Sequence, residues 1–318
     1  MAEQAPEKGE HAAVGTEICD DPPAPTVVNP NAIRVLSLGA GVQSTALLLM
    51  SLYGDLPPID VAIFADTGWE PKAVYEHLLK LETEAALHGV EVRKVTAGNI
   101  HDDHVDPQGA HLFIRKPRKR PEWEGRQRTF VPFYVVGEKG DGITFRTCTK
   151  TYKIEPVERE LRNILGLKYR ARWPLTHEID QVMGISKDEE IRCRTSRRPA
   201  IRNVYPLVEM GLTRDDCHRW MADHGWTAPR SACIGCPFHR NDEWRRLRDE
   251  APEEFAQAVD FDHTMRRAHA AGRLPIEGVP YIHDQRVPLD EADLDEPEDL
   301  QGSLFDGWNA ECEGMCGL

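Results

Sequence analysis

The sequence predicts an α/β fold: a doubly wound, mostly parallel sheet with a smaller, helical, cysteine-containing C-terminal region. Three observations predict it. From residue 33 onward, short apolar runs of strand length alternate with helix-forming segments, the order that calls for parallel strands joined by right-handed helical crossovers. The first run ends in the turn Ser37-Leu38-Gly39-Ala40-Gly41, which opens straight into the next helical segment. No run in the 318 residues approaches the roughly 18 to 20 apolar residues that a membrane-spanning helix needs, and the length suits one large α/β domain with an appended region.

In chain order the pattern gives a strand over 33–38, a helix over 44–53, a strand over 60–65, a helix over 71–88 and a strand over 90–95. Irregular chain is expected over 98–145. Helix resumes near 152–165, followed by a strand near 168–173 and a short strand near 203–207. Thr213 is a good N-cap and Gly225 follows the expected end of the helix between them. Helical segments near 240–271 lead into a proline-containing stretch at 275–288. The organisation read from this is a disordered leader at 1–31, an α/β domain at 32–207, a helical region at 208–289 and an acidic tail at 290–318 that carries a thiol pair.

The glycine turn is the most specific local feature. Gly39 and Gly41 let backbone N–H groups approach an anion, while Ser37, Ser44 and Thr45 add hydroxyls at the positive end of a helix dipole. A phosphate suits such a turn. The Gly-Lys-Ser/Thr ending of a Walker A loop is absent, and the glycine spacing is not that of a dinucleotide-binding turn. What remains, Ser37-Leu38-Gly39-Ala40-Gly41-Val42-Gln43-Ser44-Thr45, resembles the PP-loop of ATP pyrophosphatases in its variant among proteins related to phosphoadenosine phosphosulfate (PAPS) reductases.

Further segments carry the resemblance in the family's order. Asp66-Thr67-Gly68-Trp69-Glu70 looks like its second-strand motif, with Asp66 and Thr67 at the tip where ligands of open α/β sheets bind. Arg146-Thr147-Cys148-Thr149-Lys150, with Lys153 and Pro156, is similar to its R-x-C-T and K-x-x-P segments. Gly184-Ile185-Ser186-Lys187-Asp188-Glu189-Glu190-Ile191-Arg192 is similar to its G-I-S-x-D-E-x-x-R block. The resemblance implies the adenine nucleotide α-hydrolase-like fold. It also implies that Ser37, Gly39, Gly41, Gln43, Ser44, Thr45, Asp66 and Thr67 bind ATP or another adenine nucleotide with Mg2+, and that Arg146, Lys153 and Arg192 stabilise charge on its phosphates. Gln43 stands where the family's loop has an aspartate.

Eight cysteines are spread through the chain, and its start shows no secretory signal pattern, so a cytoplasmic location with reduced thiols is expected rather than a disulfide framework. Cys233-Ile234-Gly235-Cys236-Pro237 is a C-x-x-C that serves a zinc site, a redox dithiol or an iron–sulfur cluster. By the resemblance, Cys148, Cys217, Cys233 and Cys236 form a four-thiolate set for a [4Fe–4S] cluster, with zinc on the same sulfurs as the alternative. Cys217 also reads as a small buried thiol on the inner face of its helix. Cys312 and Cys316, near the end of the sequence, are candidate sulfur carriers or alternative metal ligands.

The net charge of −14 is unevenly spread: residues 1–31 carry −5 and residues 290–318 carry −10, leaving +1 for the 258 residues between. Two stretches of that body are basic. Residues 115–128 hold seven lysines and arginines around Trp123, and residues 191–202 hold Arg192, Arg194, Arg197, Arg198 and Arg202. Such stretches grip a phosphate backbone or are simply solvated loops. Together with the resemblance they lead to an expected ATP-dependent adenylation coupled to sulfur insertion, with a nucleic acid as acceptor and a sulfur donor or redox partner protein. The alternatives are a sulfonucleotide reductase that releases sulfite and a non-catalytic nucleotide-binding iron–sulfur or zinc protein.

Overall fold

A computed structural model describes residues 31–295, apart from Arg118, Lys139 and Tyr169. In chain order it contains β1 (Ile33–Leu38), α1 (Val42–Tyr53), β2 (Val61–Asp66), α2 (Lys72–Leu87), β3 (Glu91–Thr96), α3 (Ile100–Val105), β4 (Tyr134–Val136) and β5 (Gly142–Ile143). There follow α4 (Glu155–Ile164), β6 (Ile179–Val182), β7 (Ile201–Val204), α5 (Pro206–Glu209), α6 (Arg214–Asp223), α7 (Asn241–Glu250), α8 (Pro252–Ala270) and β8 (Val279–Tyr281).

The period-two alternation of strand side chains sets the layers. Leu36, Leu38, Ala62 and Phe64 of β1 and β2 pack with α1, α2 and α6, whereas Val35, Val61 and Ile63 pack with Val157 and Leu161 of α4. Helices therefore cover both faces, and strands buried on both sides read as continuous apolar runs, which is how the sequence revealed β1 and β2. The sheet is all parallel in the order β3-β2-β1-β6-β7, with Val35 opposite Val61 on one side and Gln181 on the other. The expected doubly wound α/β architecture is what the chain adopts. The order reverses between β1 and β6, and the crevice beyond their carboxyl ends is where such folds bind ligands.

Two sequence expectations are corrected. No strand forms among the described residues of 168–173, and the fourth strand of the sheet in sequence is β6, about ten residues later. Its Asp180 and Gln181 disguised it: Asp180 is fully buried, held by Arg202 at 2.7 Å through both oxygens and approached by Arg34 and His177. The 98–145 stretch is not wholly irregular, since it supplies α3, β4 and β5. The proline-containing 275–288 stretch supplies β8, which pairs antiparallel with β4.

A third apolar cluster lies beyond the sheet and unites α3, the inserted stretch, α7, α8 and the segment around Ile234. The 31–295 body forms one compact unit, and α6, placed by sequence in the second region, packs on α1 of the sheet layer. The leader and the thiol pair of the tail lie outside the described residues. No described helix is long and apolar enough to cross a membrane.

Candidate functional site

The glycine turn leaves β1 at the switch point and caps α1 without a side chain, because its N-cap is Gly41. The first-turn N–H groups of α1 thus have no side-chain cap. Ala40 between the glycines takes φ +57° while fully buried, a left-handed conformation that costs an alanine about 1 kcal/mol and is held by its surroundings. The hydroxyls expected to meet a phosphate are partnered inside the protein. Ser44 Oγ accepts from the Gly39 N–H at 3.2 Å and donates to the Gly41 carbonyl at 3.4 Å, closing the turn on itself. Ser37 Oγ accepts from Gln181 at 2.9 Å, and Thr45 Oγ1 bonds His77 at 2.9 Å. Backbone N–H groups are what this turn offers an anion.

Gln43 fastens the turn to the loop beyond β6. Its Nε2 donates to Glu189 at 3.0 Å and to Ser186 at 3.4 Å, and Glu189 in turn pairs with Arg192 at 2.7 Å. The amide thus bridges the two sides of the crevice and brings Arg192 to its rim. Its Oε1 is buried with no hydrogen-bond partner among the described residues.

At the tip of β2, Asp66 Oδ1 accepts from the Gly68 N–H and from the Tyr75 hydroxyl, each at 2.8 Å. Burial, reinforced by the Asp66 carboxylate, pushes the Tyr75 phenol upward in pKa. Gly68 is required here: it takes φ +74°, and a Cβ would lie 2.9 Å from the Asn99 backbone. Thr67 turns the other way, donating to Glu70 at 3.0 Å and lying 3.3 Å from the Cys233 sulfur.

That sulfur belongs to a second pocket beside the turn, of about 430 Å³ including its open mouth, lined by Thr67, Arg146, Cys148, Lys153, Cys233 and Cys236 among others. A π-helical turn, Thr149–Ile154, runs from Cys148 to Lys153 and directs both into the pocket. Lys153 Nζ lies 3.6 Å from Glu70 Oε1 in an ion pair shielded from solvent on both sides. Burial, with the Glu70 charge adding to it, pushes the Cys233 thiol well above its ordinary pKa. Arg146 lies over the Phe238 ring at 5.1 Å.

The C-x-x-C turn is braced from two directions. His239 Nε2 donates to the Cys233 carbonyl at 2.9 Å while its Nδ1 faces Glu243 at 2.8 Å, and Arg230 pairs with the same carboxylate. Its interaction with His239 and Arg230 holds the Glu243 carboxyl below the usual range against its burial. Ser231 donates to the Gly39 carbonyl at 2.5 Å, which ties the cysteine turn to the glycine turn. Sequence reasoning gave no role to Glu70, although it lies in the second-strand motif, and missed Ser231, His239 and Glu243, which flank the C-x-x-C turn.

The structure therefore divides the expected site residues. Ser37, Gly39, Gly41, Gln43, Ser44 and Arg192 gather at the turn and its crevice, whereas Thr67, Arg146, Cys148, Lys153, Cys233 and Cys236 gather at the thiol pocket. Cys217 joins neither. It is fully buried between α6 and α1 with Leu47 and Met221, so the expected four-thiolate set is not assembled and the buried-thiol reading holds. Among the described residues no group of three or more His, Cys, Asp or Glu side chains converges to hold a metal ion. The pocket thiols face one space without forming a ligand set, and Cys312 and Cys316 lie outside the described residues.

No protein-family profile matches the chain, and no curated protein matches it by sequence. Among solved structures it is similar to phosphoadenylyl-sulfate (PAPS) reductase from Candida auris in its phosphate complex, at 14% identity and a TM-score of 0.37, over 64% of this chain and 76% of that one. It is also similar to the U34-tRNA thiolase NcsA from Methanococcus maripaludis with its [4Fe-4S] cluster, at 11% identity and a TM-score of 0.35, over 73% of this chain and 71% of that one. Both likenesses are distant.

Proposed function

We propose that the chain is a PP-loop enzyme of the PAPS reductase-like kind, which binds ATP at the Gly39–Gly41 turn, adenylates an oxygen of a nucleic-acid acceptor and replaces that oxygen with sulfur. The observation that carries this is the coupling of two sites: an anion-binding turn at the switch point and a thiol-lined pocket, joined by the Ser231 bond to Gly39. In this reaction the acceptor oxygen attacks the α-phosphate and pyrophosphate leaves. A sulfur nucleophile then takes the acceptor carbon, and the oxygen departs with AMP. The turn's N–H groups and Arg192 hold the departing pyrophosphate, since preorganised donors act on charge as it develops. Asp66 is the carboxylate at the strand tip nearest in sequence role to a nucleotide-bound Mg2+.

Lys153 and Arg146 stand beside sulfur rather than beside the phosphate turn. The Lys153 charge partly offsets the burial that holds the Cys233 thiol protonated, and both cations attract an anionic sulfur carried into the Cys148–Cys233–Cys236 pocket. The same placement suits a sulfonate next to thiols, which favours sulfonucleotide reduction as the second reading. Pyrophosphate release from ATP separates the two. Release that depends on added nucleic acid and is lost in Ser44→Ala, whose hydroxyl closes the turn, supports the first. Sulfite release from a sulfonucleotide, without pyrophosphate from ATP, overturns it in favour of the second.

A further inference from the structure

We infer that the exposed edge of the sheet beyond β7 is a binding track for the sugar–phosphate backbone of a nucleic acid, leading from the nucleotide crevice to the opposite end of the sheet. The inference rests on the acceptor proposed above.

The topology lays out the track. Because β6 and β7 are parallel neighbours, the chain between them must return from the carboxyl end of the sheet to the amino end where Ile201 begins β7. It starts at Arg192, held by Glu189 at the crevice, and its last turns lie beside the segment before β6. There the Arg198 guanidinium lies over the Trp173 ring at 5.8 Å and that of Arg162 at 5.2 Å. Two segments distant in sequence, 165–175 and 191–203, thus form one surface on an edge strand.

Its charge is of one sign. The two segments hold eight lysines and arginines and no aspartate or glutamate. The exposed side chains of Lys168, Arg172 and Arg197 have no acidic partner among the described residues, and Arg194 is bound by the Ile191 and Cys193 carbonyls at 2.6 and 2.7 Å, which leaves its charge unneutralised. Arg192, Arg198 and Arg202 are engaged by acids, Glu189, Glu158 and Asp180. A sheet edge of four to six residues rises roughly 13 to 20 Å, room for about four to six phosphates of one strand at ~3.4 Å each.

The other basic stretch is built differently. It includes Glu122 and Glu124, Arg120 pairs with Glu122 and Glu277, and Arg126 donates to the Leu274 carbonyl at 3.1 Å, so part of its charge serves the fold. The β7 edge differs in having no acidic residue within its own two segments.

The test is fluorescence anisotropy with short labelled RNA and DNA strands of one sequence, over a salt series, on the full chain without ATP. Binding should weaken linearly in log–log salt dependence. Lys168→Ala/Arg172→Ala/Arg197→Ala should lower the slope by about two and the low-salt affinity by about tenfold or more, since each lost phosphate contact removes ~0.7 to 0.9 of slope. Arg115→Ala/Lys119→Ala, in the other stretch, should change affinity less than about twofold on the same principle. Tighter binding of one strand type identifies the acceptor class, and equal binding supports a backbone-only track. No binding at low salt, or a triple variant with unchanged slope and affinity, overturns the inference. The exposed substitutions leave folding intact. Since no turnover is measured, failure here leaves the nucleotide reaction standing, and an inactive enzyme leaves the binding result standing.

Discussion

Replacing Gly235 by alanine tests how the cysteine turn is positioned. A Cβ at this position would lie 2.2, 2.6 and 3.2 Å from Cη2, Cζ3 and Cζ2 of Trp69. Apolar carbons settle at roughly 3.5 to 4.0 Å, so one partner must retreat by more than about 1 Å. Trp69 has nowhere to go: it is buried, packs on His101 and Phe261 at 4.9 Å each, and its backbone carbonyl accepts from the Ile234 N–H at 3.0 Å. Overpacking of this kind costs about 1 to 3 kcal/mol, and 2 kcal/mol corresponds to about 30-fold in the folding equilibrium. Trp69→Phe removes the clashing ring carbons at a cost of about 2 kcal/mol, from lost volume and the 3.3 Å hydrogen bond to Gln257. The double variant should therefore be more stable than the sum of the single losses by about 1 kcal/mol or more, read from urea unfolding at fixed pH. Alkylation of Cys233 should speed up in Gly235→Ala and slow again in the double variant. Additive losses within about 0.5 kcal/mol would refute the idea that the turn is moulded on Trp69.

Three further outcomes are expected. Burial lowers the His104 pKa to about 4; the ring donates from Nδ1 to the Ile100 carbonyl at 2.6 Å and accepts at Nε2 from the Phe130 N–H at 3.0 Å. Only a neutral ring satisfies both, so this contribution is intact above the unfolded pKa of about 6.5 and falls by up to about 3 kcal/mol as pH drops toward 4. His77, also lowered to about 4, acts in the same direction. Urea midpoints across that window should fall steeply in the parent protein and less in His104→Gln, and equal slopes would remove His104 from the account. Lys153→Met leaves Glu70 buried beside Cys233 without its cation and should cost about 3 to 5 kcal/mol, with Glu70→Gln in the same molecule recovering much of it. Failure of the second change to rescue the first would mean that the pair is not coupled. Cys217→Ala should lower stability by about 1 kcal/mol and leave the iron and zinc content of the purified protein unchanged, by elemental analysis. Metal loss from that single change would return Cys217 to the ligand set.

Legibility followed burial. β1, β2 and α1 were read within a few residues because their apolar runs are uninterrupted, and the Gly39–Gly41 turn because glycine and hydroxyl types are local signals. β6 was missed because its polar centre is stable only when Arg34 of β1 and Arg202 of β7 join the nearby His177 on Asp180. Cys217 looked like its three companions because a cysteine's type does not say which core it enters.

By itself the sequence determined the alternating α/β plan, the glycine turn, the C-x-x-C turn and the near-neutral body between its acidic ends, since each depends on residue type and short spacing. Tertiary structure alone decided that Lys153 and Arg146 line the thiol pocket rather than the glycine turn, that Gln43 bonds Glu189 beyond β6, that Ser231 joins the cysteine turn to Gly39, and that Arg198 and Trp173 bring segments 165–175 and 191–203 together. The physical reason is the same in each case: a partner for a buried charge or hydroxyl is chosen by distance in space, which a chain sets only when its strands take their order.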